Sequence, residues 1–426
     1  MNTTAGLTDR RVMVIGLGRV GLSLAVRAAE AGYLVQGIDV DPNKIRLLSE
    51  HGSYVDGVSD EQLRDVMVDG RFRARHAGGL DAEILPFDYV VIAVPTLLSH
   101  GKPNLTQLES AARLVGRNLS PGNTVIVGSA SYPGTTEGLV ANVIFEESGF
   151  HPGEDYYLGF SPERLEPGSA VNTFRSTPRL VSGSGVESLK RVTAFYDNLV
   201  DQTVPVTSPA VAEFARAFEN IYSQVNTALV NELAVVAHEF NIDIWEVIEA
   251  ANTKPYGIHR HTPVPGVGGH GLSIDPAYLA WLVHTDLGMQ LRLSEAAQEI
   301  NDSMPAYVVQ RAQNMLPGGL RNAPILLLGA STYPGTADMR EAPALEVVEL
   351  LRRRGAHVTI SDPHVQGWAA TPNLPAESVV SQVAEYSLVI VITDHDEFDF
   401  DKIADTAQLV LDCRRRMTPS ATVASL

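Results

Sequence analysis

A glycine turn set between an apolar strand and a helix leaves a chain few folds to adopt, and this sequence carries one near its start. Residues 11–41, RVMVIGLGRVGLSLAVRAAEAGYLVQGIDVD, read as strand, turn, helix and strand, with Gly16, Gly18 and Gly21 spaced GxGxxG and Asp39 closing the second strand. The glycines let the backbone approach a pyrophosphate at a helix N-terminus, and Asp39, about 20 residues on, can accept hydrogen bonds from a ribose diol. An acidic residue at that position favours NAD over NADP, whose 2′-phosphate it would repel.

Strands at Phe87–Pro95 and Asn123–Ser129, separated by a helical stretch over Leu105–Asn118, continue the alternation and imply a parallel, doubly wound sheet. The turns that follow them, Val94-Pro95-Thr96 and Ser129-Ala130-Ser131-Tyr132, should lie at the carboxyl ends of the strands, where ligands bind. The segment LGFSPERLEPGSA then puts Glu163 and Arg164 on a loop. From Val211 to Phe240 the pattern is that of one long helix. At about 100° per residue, Glu213, Arg216, Asn220, Gln224, Thr227 and Asn231 share a narrow arc, while Phe214, Phe218, Ile221, Tyr222, Val225 and Leu229 fill most of the remainder. Such a helix is expected to be buried, its amide and hydroxyl row facing a ligand or another buried polar surface. A second helix, Asn241–Ala250, leads into a Gly- and Pro-rich loop, Asn252–Pro276, which carries His259, Arg260, His261, His270 and Asp275. A loop of that length is usually functional. Its histidines make no HxxxH pair and have no thiol or carboxylate cluster beside them, so no metal site is expected.

A second strand–helix series begins at Ala323 without the glycine fingerprint, so the same architecture with a different ligand is expected. One echo links the halves. GSASYPGTTE (Gly128–Glu137) and GASTYPGTAD (Gly329–Asp338) both follow strands, a similarity that chance would explain. The formal charge of −18 argues against nucleic-acid or anionic-membrane surfaces, which need clustered Lys and Arg. The one cysteine, Cys413, excludes an intramolecular disulfide. With no basic-then-apolar leader before Arg11 and no apolar run long enough to span a bilayer, the expected location is the cytoplasm.

The glycine fingerprint, SPERLEPG, ENIYSQVNTALVNELA, PGVGGHGLSIDP and MREAPALEV occur in one order, and in this the chain resembles the UDP-glucose/GDP-mannose dehydrogenase family. It is most similar to the branch that oxidises N-acetylated UDP-hexosamines. The resemblance implies an α/β fold of two Rossmann-like doubly wound domains joined by a long central helix and a helical dimerisation region. The expected boundaries are an NAD-binding domain over 1–208, a central domain over 209–318 containing the loop 252–276, and a nucleotide-sugar-binding domain over 319–426. A homodimer acting on a UDP-sugar is implied, with no nucleic acid or membrane partner. Carried over by motif, Gly16, Gly18, Arg19, Val20, Gly21, Asp39, Lys44, Pro95, Thr96, Ser129, Ala130 and Arg340 would bind NAD. Glu163, Arg216, Asn220, Asp275 and Tyr333 would stand at the chemistry, and Arg164, Leu165, Arg260, Gly269 and Gly271 would contact the sugar nucleotide.

The chain departs from the family pattern at the reaction centre. The family's nucleophilic cysteine is Gly271 here, its helix lysine is Arg216, the threonine of its STxPPGTT turn is Ala130, and the lysine of its FKxxTDD turn is Tyr333. Without a thiol the covalent route from aldehyde to acid is closed. The expected activity is therefore NAD-dependent oxidation of one CH–OH group of a UDP-sugar or close derivative, or a redox-neutral epimerisation. A catalytically silent NAD- and nucleotide-sugar-binding partner is the alternative, and an ordinary uronate-forming dehydrogenase comes third.

Overall fold

The computed structural model describes residues 9–55, 57–78, 84–164, 173–365, 368 and 371–426. The chain forms two compact units, one running up to Phe218 and including Ala277–Leu282, the other made of Glu219–Pro276 and Val283–Leu426.

The first unit opens as its glycine turn requires: β1 (Arg11–Ile15), α1 (Arg19–Glu30) and β2 (Leu34–Asp39). Two short helices that periodicity does not reveal follow, α2 (Pro42–Ser49) and α3 (Asp60–Val68), the latter opened by a capping box between Ser59 and Gln62. Then come β3 (Phe72–His76), β4 (Tyr89–Ile92), an antiparallel hairpin of β5 (Leu97–Ser99) and β6 (Lys102–Asn104), α4 (Thr106–Asn118), β7 (Thr124–Val127), α5 (Ala141–Ser148) and β8 (Tyr157–Phe160). The parallel sheet has the order β3-β2-β1-β4-β7-β8. The order reverses direction between β1 and β4, which is where such sheets open a crevice at their carboxyl edge. A small parallel pair, β9 (Arg179–Val181) and β10 (Thr203–Pro205), flanks α6 (Val186–Tyr196). Strands such as YVVI and TVIV are apolar at nearly every position because helices cover both faces.

The long helix α7 spans Pro209–Glu239, starting in the first unit and continuing in the second. The polar arc expected from periodicity faces inward: Glu213, Asn220, Gln224 and Asn231 are all buried. Each finds partners. Gln224 donates to Gln298 Oε1 (2.7 Å) and accepts from Ser294 Oγ (2.8 Å), while Asn231 donates to Asn301 Oδ1 (2.9 Å) and accepts from Val264 N (2.9 Å). The expectation that the apolar remainder is buried is corrected. Phe214, Phe218, Tyr222 and Leu229 are exposed on the chain, from 40% at Tyr222 to 62% at Phe218, and Leu233 and Val236 extend the stripe. Periodicity separates the two faces of a helix but does not say which one its own chain covers.

After α7 come α8 (Ile244–Asn252), α9 (His270–Ser273), α10 (Asp275–Leu287) and α11 (Arg292–Met315). The expected helix at Asn241–Ala250 begins later because Asp243 caps it, accepting from Trp245 N at 2.9 Å. The expected irregular loop to Pro276 contains the turn of α9 and the start of α10. The second sheet is built from β11 (Pro324–Leu328), α12 (Pro343–Arg353), β12 (His357–Ser361), α13 (Val379–Gln382), β13 (Leu388–Val391), α14 (Phe400–Thr406), β14 (Val410–Asp412) and β15 (Val423–Ser425). Its order, β12-β11-β13-β14-β15, is the other common doubly wound arrangement. Among the described residues no helix is long and apolar enough to cross a membrane.

The amide ladder of α7 yields a stability prediction. Asn231→Ala strips Asn301 and Val264 of buried partners and is expected to cost about 1–3 kcal/mol, measured as a lower denaturation midpoint at unchanged slope.

Candidate active site

In the first unit the glycine turn is shaped by contacts that leave no alternative to glycine. Gly16 has φ +90°, and a Cβ there would meet Ala93 O at 2.5 Å; at Gly21 it would meet Gly16 O at 1.8 Å. At Gly18, the N-cap of α1, it would meet nothing within 4 Å, so the backbone is bare where a pyrophosphate would approach. Arg19 and Val20 open α1 and are half-buried. Asp39 is buried, accepting from Leu17 N (2.7 Å) and Lys44 Nζ (3.2 Å) on Oδ2 and from Asp41 N (2.9 Å) on Oδ1. It ties the two strand ends together, and Oδ1, with a single donor, has lone-pair capacity for a further one such as a ribose hydroxyl. These residues fit a dinucleotide.

Pro95 and Thr96 follow β4, the first exposed and the second buried. Ser129 follows β7 and donates to Val94 O at 2.8 Å, joining those strand ends, with Ala130 half-buried beside it. The turn beyond is gripped by α7: Glu213 accepts from Gly134 N (2.6 Å), Thr136 N (2.9 Å) and Thr136 Oγ1 (2.7 Å). Tyr132 in this turn packs its ring against Tyr278 and Trp281. Arg216 lies one helical turn beyond Glu213, half-buried.

Glu163 also stands in the first unit. Its Oε2 is paired with Arg179 Nη1 at 2.8 Å, and its Oε1 accepts from Arg164 N at 2.7 Å. Arg179 is itself buried, donates to Ser161 Oγ (3.0 Å), and lies over the rings of Phe174 and Tyr196. Sequence reasoning missed Arg179, because nothing local marks a strand residue as the partner of a loop carboxylate. Arg164 donates to Pro178 O at 2.8 Å, and Leu165 lies outside the described residues.

In the second unit Asn220 donates to Oδ2 of Asp275, a buried carboxylate at the start of α10. Tyr333 lies across the glycine loop. Its hydroxyl donates to Gly268 O at 3.3 Å, and a Cβ on Gly269, at φ +82°, would come within 2.3 Å of that hydroxyl. Gly269 N also donates to Arg340 O at 3.1 Å, which brings Gly269, Tyr333 and Arg340 together, while the Arg340 guanidinium pairs with Asp338 at 2.6 Å. Gly271 is half-buried in α9. Arg260 stands elsewhere in this unit, paired with Glu249 at 2.8 Å and lining a cavity of about 220 Å³ with Trp245, Arg414 and Arg415. Cys413 is fully buried in the core of the second sheet, and burial followed by the neighbouring Asp412 pushes its thiol well above the usual range.

The second Tyr-Pro-Gly-Thr segment repeats the geometry of the first. Thr135 Oγ1 donates to Tyr132 O (2.6 Å) and Thr336 Oγ1 to Tyr333 O (3.0 Å); Gly134 and Gly335 both have positive φ; and Gly335 N donates to His395 Nδ1 at 3.1 Å as Gly134 N does to Glu213. Because Gly335 N can only donate, His395 carries its proton on Nε2, which faces Asp362 Oδ2 at 3.0 Å. Asp362 further accepts from Ala330 N, Ser331 N, His364 N and Val365 N. Burial acts to raise its pKa, but the bonds from His395 and the amides outweigh that and hold the carboxyl below the usual range. Among the described residues His364, His395 and Glu397 bring three donor atoms within 4.8 Å of one another, yet both ring nitrogens of His395 are already engaged by the fold.

A glycine crevice with an acidic strand end, joined in one chain to a second doubly wound sheet, defines a dinucleotide-dependent oxidoreductase, and comparison with known proteins agrees. Residues 10–200 match the NAD binding domain of the UDP-glucose/GDP-mannose dehydrogenase family, 210–303 its central domain and 326–419 its UDP binding domain. A UDP-N-acetyl-D-mannosamine dehydrogenase of Pyrococcus horikoshii is 32% identical over 91% of this chain and 90% of its own length, and Protein CapL of Staphylococcus aureus is 31% identical over 95% and 94%. The solved structure of a UDP-D-ManNAc dehydrogenase from P. horikoshii superposes with a TM-score of 0.84 at 30% identity, covering 97% of this chain and 98% of that one. The chain belongs to the UDP-glucose/GDP-mannose dehydrogenase family, and its cofactor is NAD.

The Asp362 cluster predicts the pH response of the second sheet. A carboxyl held low contributes stability that is present above its unfolded pKa of about 3.9 and is lost as pH falls through the folded value. Asp362→Asn is expected to cost about 2–3 kcal/mol at pH 7, with the gap to the parent narrowing in denaturant melts below about pH 4.

Proposed function

We propose that this protein oxidises one CH–OH group of a UDP-linked N-acetylated hexose, or a close derivative, and that the chemistry ends after one hydride transfer or returns the hydride to give an epimer. The observation that carries this reading is the position of sulfur. The only thiol in the chain is sealed in the core of the second sheet, and Gly271 stands where the family resemblance places the nucleophile. No thiohemiacetal forms without a reachable thiol, so the second oxidation to an acid has no covalent intermediate to pass through. The UDP-sugar class is supported by the UDP binding domain and by the relative named a UDP-N-acetyl-D-mannosamine dehydrogenase.

Bound NAD⁺ supplies the hydride acceptor. As the C–H bond gives up its electron pair as hydride, the hydroxyl proton passes to Asp275, whose carboxylate is oriented by the amide of Asn220. Arg216, on the preceding turn of α7, stabilises the developing negative oxygen, and a guanidinium does not take the place of a lysine amine as proton shuttle. Glu163, held by Arg179, orients the substrate, and Tyr333 covers the glycine loop where the family carries a lysine. The exposed apolar stripe of α7, from Phe214 to Val236, supports a homodimer in which a second copy covers it.

Incubation with UDP-N-acetylhexosamines and NAD⁺ is expected to give no more than one NADH per sugar, with a carbonyl or epimeric product by mass spectrometry. Two equivalents with a uronic acid overturn the reading, and absence of any deuterium transfer from labelled sugar to the nicotinamide replaces it with that of a binding protein. Light scattering after gel filtration is expected to give twice the chain mass, and Phe218→Glu to shift the protein toward monomer. A parent protein that runs as a monomer refutes the dimer.

A further inference from the structure

Glu213 is a glutamate with no accessible surface, and among the described residues the donors to its carboxylate come from one turn: Gly134 N, Thr136 N, Thr136 Oγ1 and, at 3.5 Å, Ser131 Oγ. Burying a carboxylate is costly unless its bonds are good, and removal of water raises its pKa while the bonds from Thr136 and Gly134 oppose the rise. Closing a Tyr-Pro-Gly-Thr turn does not require a carboxylate. The second unit closes its own with the neutral imidazole of His395. A carboxylate, however, accepts several donors at once through shorter, stronger bonds, and so fixes the turn more tightly than a neutral acceptor.

We infer that Glu213 is a positioning residue for the cofactor, holding the turn Ser131–Thr136, and through it Ser129 and Ala130 at the end of β7, in the geometry that receives NAD. The inference rests on the reading that the turn after β7 lines the cofactor. It also accounts for the place of Glu213 on α7. Standing one helical turn before Arg216, it sets the distance between the cofactor turn and the guanidinium assigned to the reacting oxygen. The ring of Tyr132 on Tyr278 and Trp281 pins the same turn from its other end.

Glu213→Gln keeps the size but turns an NH₂ group toward Gly134 N or Thr136 N, donor against donor. It is expected to weaken NAD⁺ binding in calorimetry by about ten- to a hundredfold while leaving UDP binding unchanged. In any turnover assay KM for NAD⁺ rises and kcat at saturating NAD⁺ is kept, whereas a loss of folded protein would lower kcat at constant KM. Glu213→Asp, which retains the charge, is expected to recover part of the affinity. Thr136→Val removes only the hydroxyl donor and decides the matter if the glutamine variant does not fold; its expected loss is about threefold to tenfold. Ala130→Trp tests the underlying reading separately. Unaltered NAD⁺ binding by Ala130→Trp removes the turn from the cofactor site, while a block by Ala130→Trp with parent-like binding by Glu213→Gln or Thr136→Val overturns the positioning role alone.

Discussion

The inward-facing polar edge of α7 is the constraint to which much of this structure answers. A buried amide or carboxylate must find partners or cost about 1–3 kcal/mol, so each polar residue on that edge dictates what packs beside it. Gln224 and Asn231 select the polar face of α11 and the backbone at Val264, Asn220 selects the acid that opens α10, and Glu213 selects the turn after β7. Within the first unit the helix thus fixes the turn after β7, and within the second it fixes the loop at Val264 and the N-terminus of α10. On the other edge of α7 Phe214, Phe218 and Leu229 stay exposed, while Tyr222 meets His259 at 2.6 Å.

Much of this architecture is legible in the amino-acid sequence. The glycine fingerprint dictates strand, turn and helix together, because at Gly16 and Gly21 no side chain has room, and helical periodicity alone separates the polar arc of α7 from the apolar one. What the sequence hides falls into two physical classes. The first is which face is covered: a stripe such as Phe214, Phe218 and Tyr222 reads the same whether its neighbour is its own core or another molecule. The second is pairing across sequence distance. Arg179 with Glu163 and His395 with Asp362 join residues on different elements, and no local pattern announces either.

The two Tyr-Pro-Gly-Thr turns show how far a short likeness can be trusted. Explicable as chance on sequence alone, they share a threonine bonded back to the tyrosine carbonyl, a left-handed glycine and a buried acceptor for the glycine amide. The likeness stops at the acceptor, a carboxylate in one and an imidazole in the other. The same backbone solution therefore stands under a carboxylate clamp in the sheet that matches the family's NAD binding domain and under an imidazole clamp in the sheet that matches its UDP binding domain.

The burial of Cys413 has a consequence for how such a protein can be silenced. Peroxide and alkylating electrophiles act on thiolates they can reach, and a sulfur without surface whose proton is held tightly offers neither charge nor access. On the proposed reading, in which no thiolate takes part in the chemistry, such reagents find no sulfur to disarm at the reacting centre.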